Sequence, residues 1–314
     1  MDPAYSVILF TSSSGAGYGL IAWLAFARLS GAWEIEPVTA MVSCLVALVL
    51  ITTGLLSSTF HLGHPERAWR AISQWRSSWL SREGVLAILA YPAALVVTAG
   101  WSWNAVPGVW MTAAAAATLV LSLVTVISTG MIYASLKTIP RWHNRWVVPV
   151  YIALALSSGG LLFIIALAVS NSAGQKTLIT MVGVLLFSWL IKWAYWRFID
   201  RQEAPSTTGT ATGLDHLGTV RQLEAPHTSE NYLLKEMGFA IARKHATRLR
   251  RMALNLGLLL PGILLILAGV SGGAAQLALL ITAALLGLAG VVVERWLFFA
   301  EARHAVTLFY GRSL

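Results

Sequence analysis

Long stretches without a charged residue dominate the chain and determine its predicted architecture. The runs that contain no Asp, Glu, Lys or Arg are 3–27, 37–65, 84–136, 146–175, 177–191 and 252–293. A helix needs about 20 apolar residues to cross the hydrocarbon core of a bilayer. The pattern therefore predicts transmembrane helices along most of the chain.

Two of these runs are long enough for two helices each. The run 84–136 is broken at WSWNAVPG, around Pro107 and Gly108, and the run 252–293 is broken at SGGAA. The short run 177–191 extends through Lys192 and Arg197, whose aliphatic stems can reach the interface. We predict an all-α polytopic membrane protein, a bundle of eight transmembrane helices forming a single membrane domain over residues 1–314. The predicted spans are 6–28, 38–60, 84–101, 109–135, 147–170, 178–198, 252–270 and 276–300.

Composition and charge distribution fit this architecture and predict its orientation. Of the 314 residues, 57% are hydrophobic and 11% are charged, whereas soluble domains carry about 25% charged residues. Every Lys and Arg except Arg28 and Lys176 lies on the side that carries the loops 61–83, 136–146 and 199–251. By the positive-inside rule this side is cytoplasmic, so we expect cytoplasmic N- and C-termini. The net charge of +9 then reflects loops, and no nucleic-acid partner is expected.

The loop 199–251 is the only sizeable segment predicted outside the membrane. Its first part, RQEAPSTTGTATGLDHLG, is rich in Ser, Thr, Gly and Pro and predicts a flexible linker. Its second part, ENYLLKEMGFAIARKHATRLRRM, has one apolar and one basic face. That pattern predicts an amphipathic helix that lies on the membrane surface or docks a partner.

Several functional classes are disfavoured by what the predicted spans lack. All histidines fall in loops or at helix ends, so a haem held between two helices is not expected. The single cysteine, Cys44, cannot supply the ligands of an iron–sulfur cluster within this chain. A transporter is disfavoured because the spans are predicted to carry no ionisable group near mid-membrane. The glycine-rich GAGYG at 15–19 is better explained by close helix packing than by nucleotide binding.

One membrane-edge loop concentrates charged residues. HLGHPERAWRAISQWRSSWLSRE, residues 61–83, contains two histidines, four arginines and two glutamates. Structural roles are possible: Ser81 can cap the third helix with Glu83 in its first turn, and His61 can bond a backbone carbonyl. A metal site on His61 and His64 lacks a convincing third ligand, so no metal is expected.

The same residues suit the exchange of protons with a lipid-soluble quinone. Quinone chemistry moves two electrons and two protons, and its ring oxygens need hydrogen-bonding partners. His61 could supply such a partner, and Glu83 could relay protons to water. Arg67 could fix the geometry and keep the carboxylate ionised, while Gly63 would permit close approach of the ring.

Two segments resemble a known family. STFHLGHPERAWRAISQWRSSWLSRE, residues 58–83, is similar to the signature of the membrane-anchor subunit of dimethyl sulfoxide reductase-type molybdoenzymes, and GMIYASLKTIPRWHNRW, residues 130–146, resembles a second family segment. The resemblance implies a quinone site on His61, Gly63, Arg67 and Glu83, with His61 and Glu83 as catalytic residues. It also implies, less directly, quinone-binding or wall-forming roles for Tyr133, Arg141, Trp142 and His143.

The resemblance further implies a three-subunit complex in the bacterial cytoplasmic (inner) membrane. A molybdopterin catalytic subunit would convert the substrate, and a four-cluster iron–sulfur subunit on the cytoplasmic face would carry electrons. This chain would anchor both and exchange electrons with menaquinone or ubiquinone, without haem. A cytoplasm-facing site favours sulfite oxidation with quinone reduction. The alternatives are a quinol-oxidising anchor of a dimethyl sulfoxide reductase and a purely structural anchor without a quinone site.

Overall fold

Helices account for nearly all regular structure in the computed structural model of the chain. The structure describes residues 5–61, 64–103, 106–202, 206–221, 223–224 and 243–310. Its helices are α1 (Tyr5–Ser30), α2 (Pro37–Ser57), α3 (Trp79–Trp103), α4 (Gly108–Ala134), α5 (Val147–Val169), α6 (Gln175–Arg201), α7 (Thr208–Thr212), α8 (Ala246–Gly269) and α9 (Gly273–Ala300). Short 3₁₀ helices cover Ser58–His61 and Pro65–Gln74 after α2, and Ala305–Tyr310 after α9.

Eight of these helices, all except α7, are long and apolar enough to cross a membrane. Among the described residues, the all-helical architecture and the predicted number of span-length helices are therefore confirmed. The start of α3 differs from the prediction, because the helix begins at Trp79 rather than at residue 84. Ser78 takes the capping position: its carbonyl accepts from the Arg82 amide at 3.1 Å and its Oγ from the Ser81 amide at 3.5 Å. Ser81 is consequently a buried residue within the first turn.

The first helix lies at the centre of the bundle. It packs against α2, α4, α5 and α9, and it meets α5 where Gly19 faces Ala155 and Gly159. A β-carbon on Gly19 would collide with the carbonyl oxygen of Ala155, and one on Gly17 would lie 2.7 Å from the carbonyl oxygen of Ala47 on α2. The prediction that GAGYG serves helix packing is confirmed.

Hydrogen bonds tie the connections together at the end of the bundle where α1 stops and α2 starts. Ser172 Oγ donates to the Glu34 carbonyl at 2.5 Å, and the Trp33 indole donates to Thr177 at 3.0 Å. Glu36 caps α2 by accepting from the Val38 and Thr39 amides. A hydrogen bond from the Thr39 hydroxyl, together with these two amide hydrogen bonds, holds the pKa of the exposed Glu36 carboxyl below its usual value.

The opposite end carries the described parts of the segments 58–78, 135–146 and 202–245 and is called the basic end. Ala305 donates its amide to the Thr138 carbonyl at 2.9 Å, and Arg243 Nε donates to the Ala300 carbonyl at 3.0 Å. The segment after α9 is thereby fixed across the connection between α4 and α5. Whether this end faces the cytoplasm remains a prediction.

The structure describes residues 206–221 and 223–224 of the long connection between α6 and α8. Within the predicted linker, Thr207 and Thr210 form a reciprocal capping box for α7, and Gly213 ends the helix with a φ of 71°. Residues 230–242, more than half of the predicted amphipathic segment, lie outside the described residues. The division of 199–251 into linker and amphipathic helix therefore stays a prediction.

Candidate functional site

Glu83 lies inside the helix bundle near the basic end. It belongs to the second turn of α3, and only 3% of the residue is exposed. Arg82 points the other way: its guanidinium donates to the carbonyls of Trp75 and Arg76 at 3.0 and 2.6 Å. The preceding connection is thus held against the start of α3, which directs the next side chain inward. A buried carboxylate is expensive unless it has a partner.

Thr129 on α4 supplies that partner. Its hydroxyl contacts Glu83 Oε1 and also lies 3.1 Å from the Thr125 carbonyl. A hydroxyl has one proton and two acceptor positions. It can donate to the ionised carboxylate, or it can accept from the protonated carboxyl while donating to Thr125. The pair therefore accommodates both protonation states of Glu83 without an unsatisfied group.

A small cavity with several hydroxyl side chains in its lining lies beside this pair. Its volume is about 20 Å³, and its lining includes Thr129 and Tyr151 with Ser12, Tyr18 and Arg295. That is room for about one water molecule, and far below the roughly 300 Å³ of a typical ligand pocket. Ser12 Oγ is buried and has no hydrogen-bond partner among the described residues. The cavity is therefore too small to enclose a quinone ring.

The predicted residues Tyr133 and Trp142 are brought together in an aromatic cluster. Their ring centroids are 5.2 Å apart, and Trp142 stacks on Phe298 of α9 at 5.5 Å. The Trp142 indole donates to the Phe298 carbonyl at 3.1 Å. Tyr133 also stacks on Tyr151, which lines the cavity, at 5.6 Å. The cluster thus forms a wall of the bundle close to the Glu83 side.

Arg141 and His143 occupy the turn beside that wall and contribute backbone-directed contacts. The Arg141 carbonyl accepts from the Tyr195 hydroxyl at 3.1 Å. The His143 ring pairs through Nδ1 with the Ala134 carbonyl at 2.7 Å. Both interactions fix the connection between α4 and α5, and neither directs a side chain toward Glu83.

The charged residues after α2 lie on an exposed 3₁₀ helix. The Arg67 side chain is 57% exposed and its Nε lies 3.7 Å from Glu66 Oε1, which also pairs with His64 Nδ1 at 2.9 Å. The structure therefore places Arg67 beside Glu66 rather than uniting it with Glu83. Gly63 and the side chain of His61 lie outside the described residues. Their predicted roles, and that of Arg67 at the carboxylate, remain predictions.

A larger cavity lies at the opposite end of the bundle. Its volume is about 360 Å³, and Arg28, Trp33, Glu34 and Trp101 are among the residues that line it. By size it could receive an aromatic ring. The cavity is open to the surface, and part of its lining comes from the connection between α1 and α2. It is therefore the alternative quinone site with which the Glu83 site has to be compared.

The sequence interpretation missed a group of buried charges. Lys192 on α6 and Glu294 on α9 are both fully buried and form an ion pair, and Arg295 Nε donates to Glu294 Oε2 at 2.5 Å. The prediction that Lys192 reaches the interface is wrong, because its side chain is buried between α6 and α9. The absence of ionisable groups near mid-membrane stays a prediction. The adjacent pair Glu294–Arg295 within the apolar run VVVERWLFFA was the available signal.

Comparisons with known proteins agree on one family. The family model described as DMSO reductase anchor subunit (DmsC) matches residues 1–312. A sulfite dehydrogenase subunit of Allochromatium vinosum is 34% identical over 330 residues, covering 99% of this chain and 99% of that protein. A component of the anaerobic dimethyl sulfoxide reductase of Escherichia coli is 26% identical over 166 residues, covering 50% of this chain and 54% of that protein.

Proposed function

Because the chain belongs to the DMSO reductase anchor subunit family, we propose that it is the quinone-reactive membrane subunit of a molybdenum oxidoreductase. In the proposed complex an iron–sulfur subunit docks at the basic end and passes two electrons to a membrane quinone. The quinone takes up those two electrons and two protons to become quinol. This chain anchors the partners and supplies the protons.

The observation that carries the proposal is the buried pair of Glu83 and Thr129 at the basic end. A carboxylate withdrawn from water beside a hydroxyl that fits both of its protonation states is suited to general acid–base catalysis. Glu83 would hold a proton next to the ring oxygen and release it as the ring is reduced. Thr129 would then stabilise the carboxylate left behind.

The ring itself would approach Glu83 from the side of residues 61–64. The cavity beside Thr129 is only about 20 Å³, so the ring cannot lie there. His61 would bind a ring oxygen, and Gly63 would leave space for the ring. Arg67 would contribute positive charge at the entrance, and Tyr133 and Trp142 would support the neighbouring wall.

The proposed donor of the electrons is sulfite. At the partner's molybdenum site sulfite and water would give sulfate, two protons and two electrons. The match to a sulfite dehydrogenase subunit over 99% of both proteins favours this direction. The second candidate is quinol oxidation for dimethyl sulfoxide reduction, which is supported by similarity over half of the chain.

The test uses the intact complex with Glu83 changed to Gln. Gln preserves the size of the side chain and its hydrogen bond to Thr129 but cannot carry a proton. We expect sulfite-dependent reduction of decylubiquinone to fall by about 100-fold or more. Reduction of a water-soluble dye by the partner subunits, and the yield of assembled complex, should stay at the wild-type level.

Glu34→Gln is the matched control. It makes the same chemical change beside the 360 Å³ cavity at the opposite end and should leave quinone reduction unchanged. Unchanged turnover in Glu83→Gln would remove the assigned role of Glu83. A loss in Glu34→Gln alone would move the quinone site to the other end of the bundle.

A further inference from the structure

The buried charges on α6 and α9 form a compact cluster within the membrane-spanning helices. Lys192 and Glu294 have no exposed side-chain surface, and Arg295 is 2% exposed. Lys192 contacts one oxygen of Glu294, and Arg295 Nε donates to the other. Burying three charges costs more than filling the same volume with apolar side chains. A chemical function of these groups would explain why the bundle keeps them despite this free-energy cost.

The small cavity lies between Arg295 of this cluster and Thr129, the partner of Glu83. One part of its lining is Thr129, whose hydroxyl contacts Glu83, and another is Arg295, which is bonded to Glu294. Tyr151 lines the cavity between them, with its ring centroid 4.1 Å from the Arg295 guanidinium carbon. Hydroxyl groups from α1, α4 and α5 and space for about one water molecule therefore separate the two buried carboxylates.

A second set of charges leads from the cluster toward water at the basic end. Glu301 lies seven positions after Glu294, about 10 Å along α9 and on the same face. It is 3% exposed and accepts from Arg250 Nη2 at 2.6 Å. The same guanidinium donates to Asp200, which is 50% exposed, at 2.5 Å. Lys192 and Arg250 both lie against the ring of Trp196, at 5.1 and 5.5 Å from its centroid.

We propose that Lys192 and Glu294 relay protons between the aqueous edge at Asp200 and Glu301 and the carboxylate of Glu83. A proton would pass from Lys192 to Glu294, then through the hydroxyl-lined cavity to Glu83, and a proton from the aqueous edge would restore Lys192. Arg295 does not release its proton in proteins, so it positions Glu294 and does not carry protons. The relay rests on the proposed function: two protons are delivered for the two electrons that the iron–sulfur subunit supplies per quinone.

The decisive comparison is between two substitutions of Lys192 in the intact complex. Lys192→Met removes the proton carrier but leaves the Glu294–Arg295 pair in place, so the bundle keeps a balanced charge. Lys192→Arg keeps a positive charge beside Glu294 but cannot give up its proton. Arg197→Met is the matched control, because Arg197 lies on the same helix with its side chain exposed.

We expect both Lys192 variants to lower the kcat of decylubiquinone reduction about tenfold or more, with KM and dye-linked turnover unchanged. Turnover should then depend more steeply on pH and on substitution of D₂O for H₂O, because proton delivery limits the rate. The titratable and charged groups around the two carriers are Tyr151, Tyr195, Arg295 and Glu301. Glu294→Gln keeps the hydrogen bond to Arg295 and replaces either Lys192 variant that fails to assemble. We expect it to lower kcat by the same factor.

Two results would overturn the relay. Wild-type kcat in Lys192→Met would show that no proton passes through the cluster. The same conclusion would follow from wild-type kcat in Glu294→Gln, when that variant replaces Lys192→Met. Wild-type kcat in Lys192→Arg alone would show that only the charge of Lys192 is needed. A slow Glu83→Gln beside a normal Lys192→Met would remove the relay and leave the proposed function intact. Normal turnover in both would remove both.

Discussion

A single hydroxyl determines how well the bundle tolerates the charge of Glu83. Thr129 is 6% exposed and contacts the carboxylate directly. Thr129→Val keeps the shape of the side chain but leaves the carboxylate without this donor. We expect the free energy of unfolding to fall by about 1–3 kcal/mol and quinone-linked kcat by about tenfold.

Thr112→Val serves as the control for that change. Thr112 lies on the same helix, is exposed, and donates only to the Gly108 carbonyl at 2.9 Å. Thermal unfolding in detergent and quinone-linked turnover of the two variants give the comparison. Equal stability and equal turnover would show that Glu83 does not depend on Thr129.

Tyr133 tests whether the aromatic wall contributes chemistry or only shape. Its ring contacts Trp142, Tyr151, Phe298 and Phe299, and Tyr133→Phe preserves that packing. In the proposed site the Tyr133 hydroxyl would donate a hydrogen bond to the quinone, and the loss of one such bond corresponds to about 0.5–1.5 kcal/mol. We therefore expect quinone-linked kcat/KM to fall about 2- to 10-fold, with the melting temperature nearly unchanged. Wild-type kinetics would restrict Tyr133 to a packing role.

Residue-level prediction from the sequence succeeded only in part, for physical reasons. A charge-free run begins only after Arg82 and Glu83, so the sequence pattern predicts a start of the third helix that is five residues too late and a cap at Ser81. The structure shows that a helix can begin among charged residues when one of them bonds the preceding turn. The partner of Glu294 could not be predicted, because Lys192 lies on a different helix and only the packed bundle brings them together.

At the level of helices, the contact between α1 and α5 is the most demanding interface. Gly19→Ala would force a β-carbon into the backbone of Ala155. Overpacking of this kind costs about 1–3 kcal/mol, so we expect a clear drop in melting temperature and in the yield of folded protein.

The neighbouring Gly15→Ala provides the control for that interface. A β-carbon on Gly15 would lie 4.0 Å from the β-carbon of Ala155, which is ordinary contact. The better helix propensity of Ala should then stabilise α1 by up to about 1 kcal/mol. The opposite order of the two melting temperatures would mean that the helices do not approach at Gly19.

Helix number was predictable because length and polarity suffice to define a membrane span. Lipid contact requires long apolar helices with internal backbone hydrogen bonds. The length and polarity of each segment alone show whether it meets that requirement. Where the charges within a span end up is decided by neighbouring helices. Lys192 illustrates the difference, since its position near the end of an apolar run suggested an exposed side chain.

For the whole molecule, we predict the orientation in the membrane from the distribution of Lys and Arg. We expect Thr219→Cys at the basic end to be protected from a membrane-impermeant maleimide in intact cells, and Ala32→Cys at the opposite end to react. Both positions are exposed, and the native Cys44 is buried. Each variant is best made in a Cys44→Ala background.

Reaction of both variants after the cells are opened is the control for accessibility. Labelling of Thr219→Cys in intact cells, with protection of Ala32→Cys, would show that the orientation is the reverse of the predicted one. It would also place the proposed partner on the other side of the membrane.

In the proposed function, electrons leave the complex through a quinone that receives its protons from Glu83. The most direct test is the single-turnover reoxidation, by decylubiquinone, of iron–sulfur clusters that sulfite has reduced in the purified complex. In Glu83→Gln we predict that the clusters are reduced at the wild-type rate and reoxidised about 100-fold more slowly. Reoxidation at the wild-type rate in that variant would contradict the account.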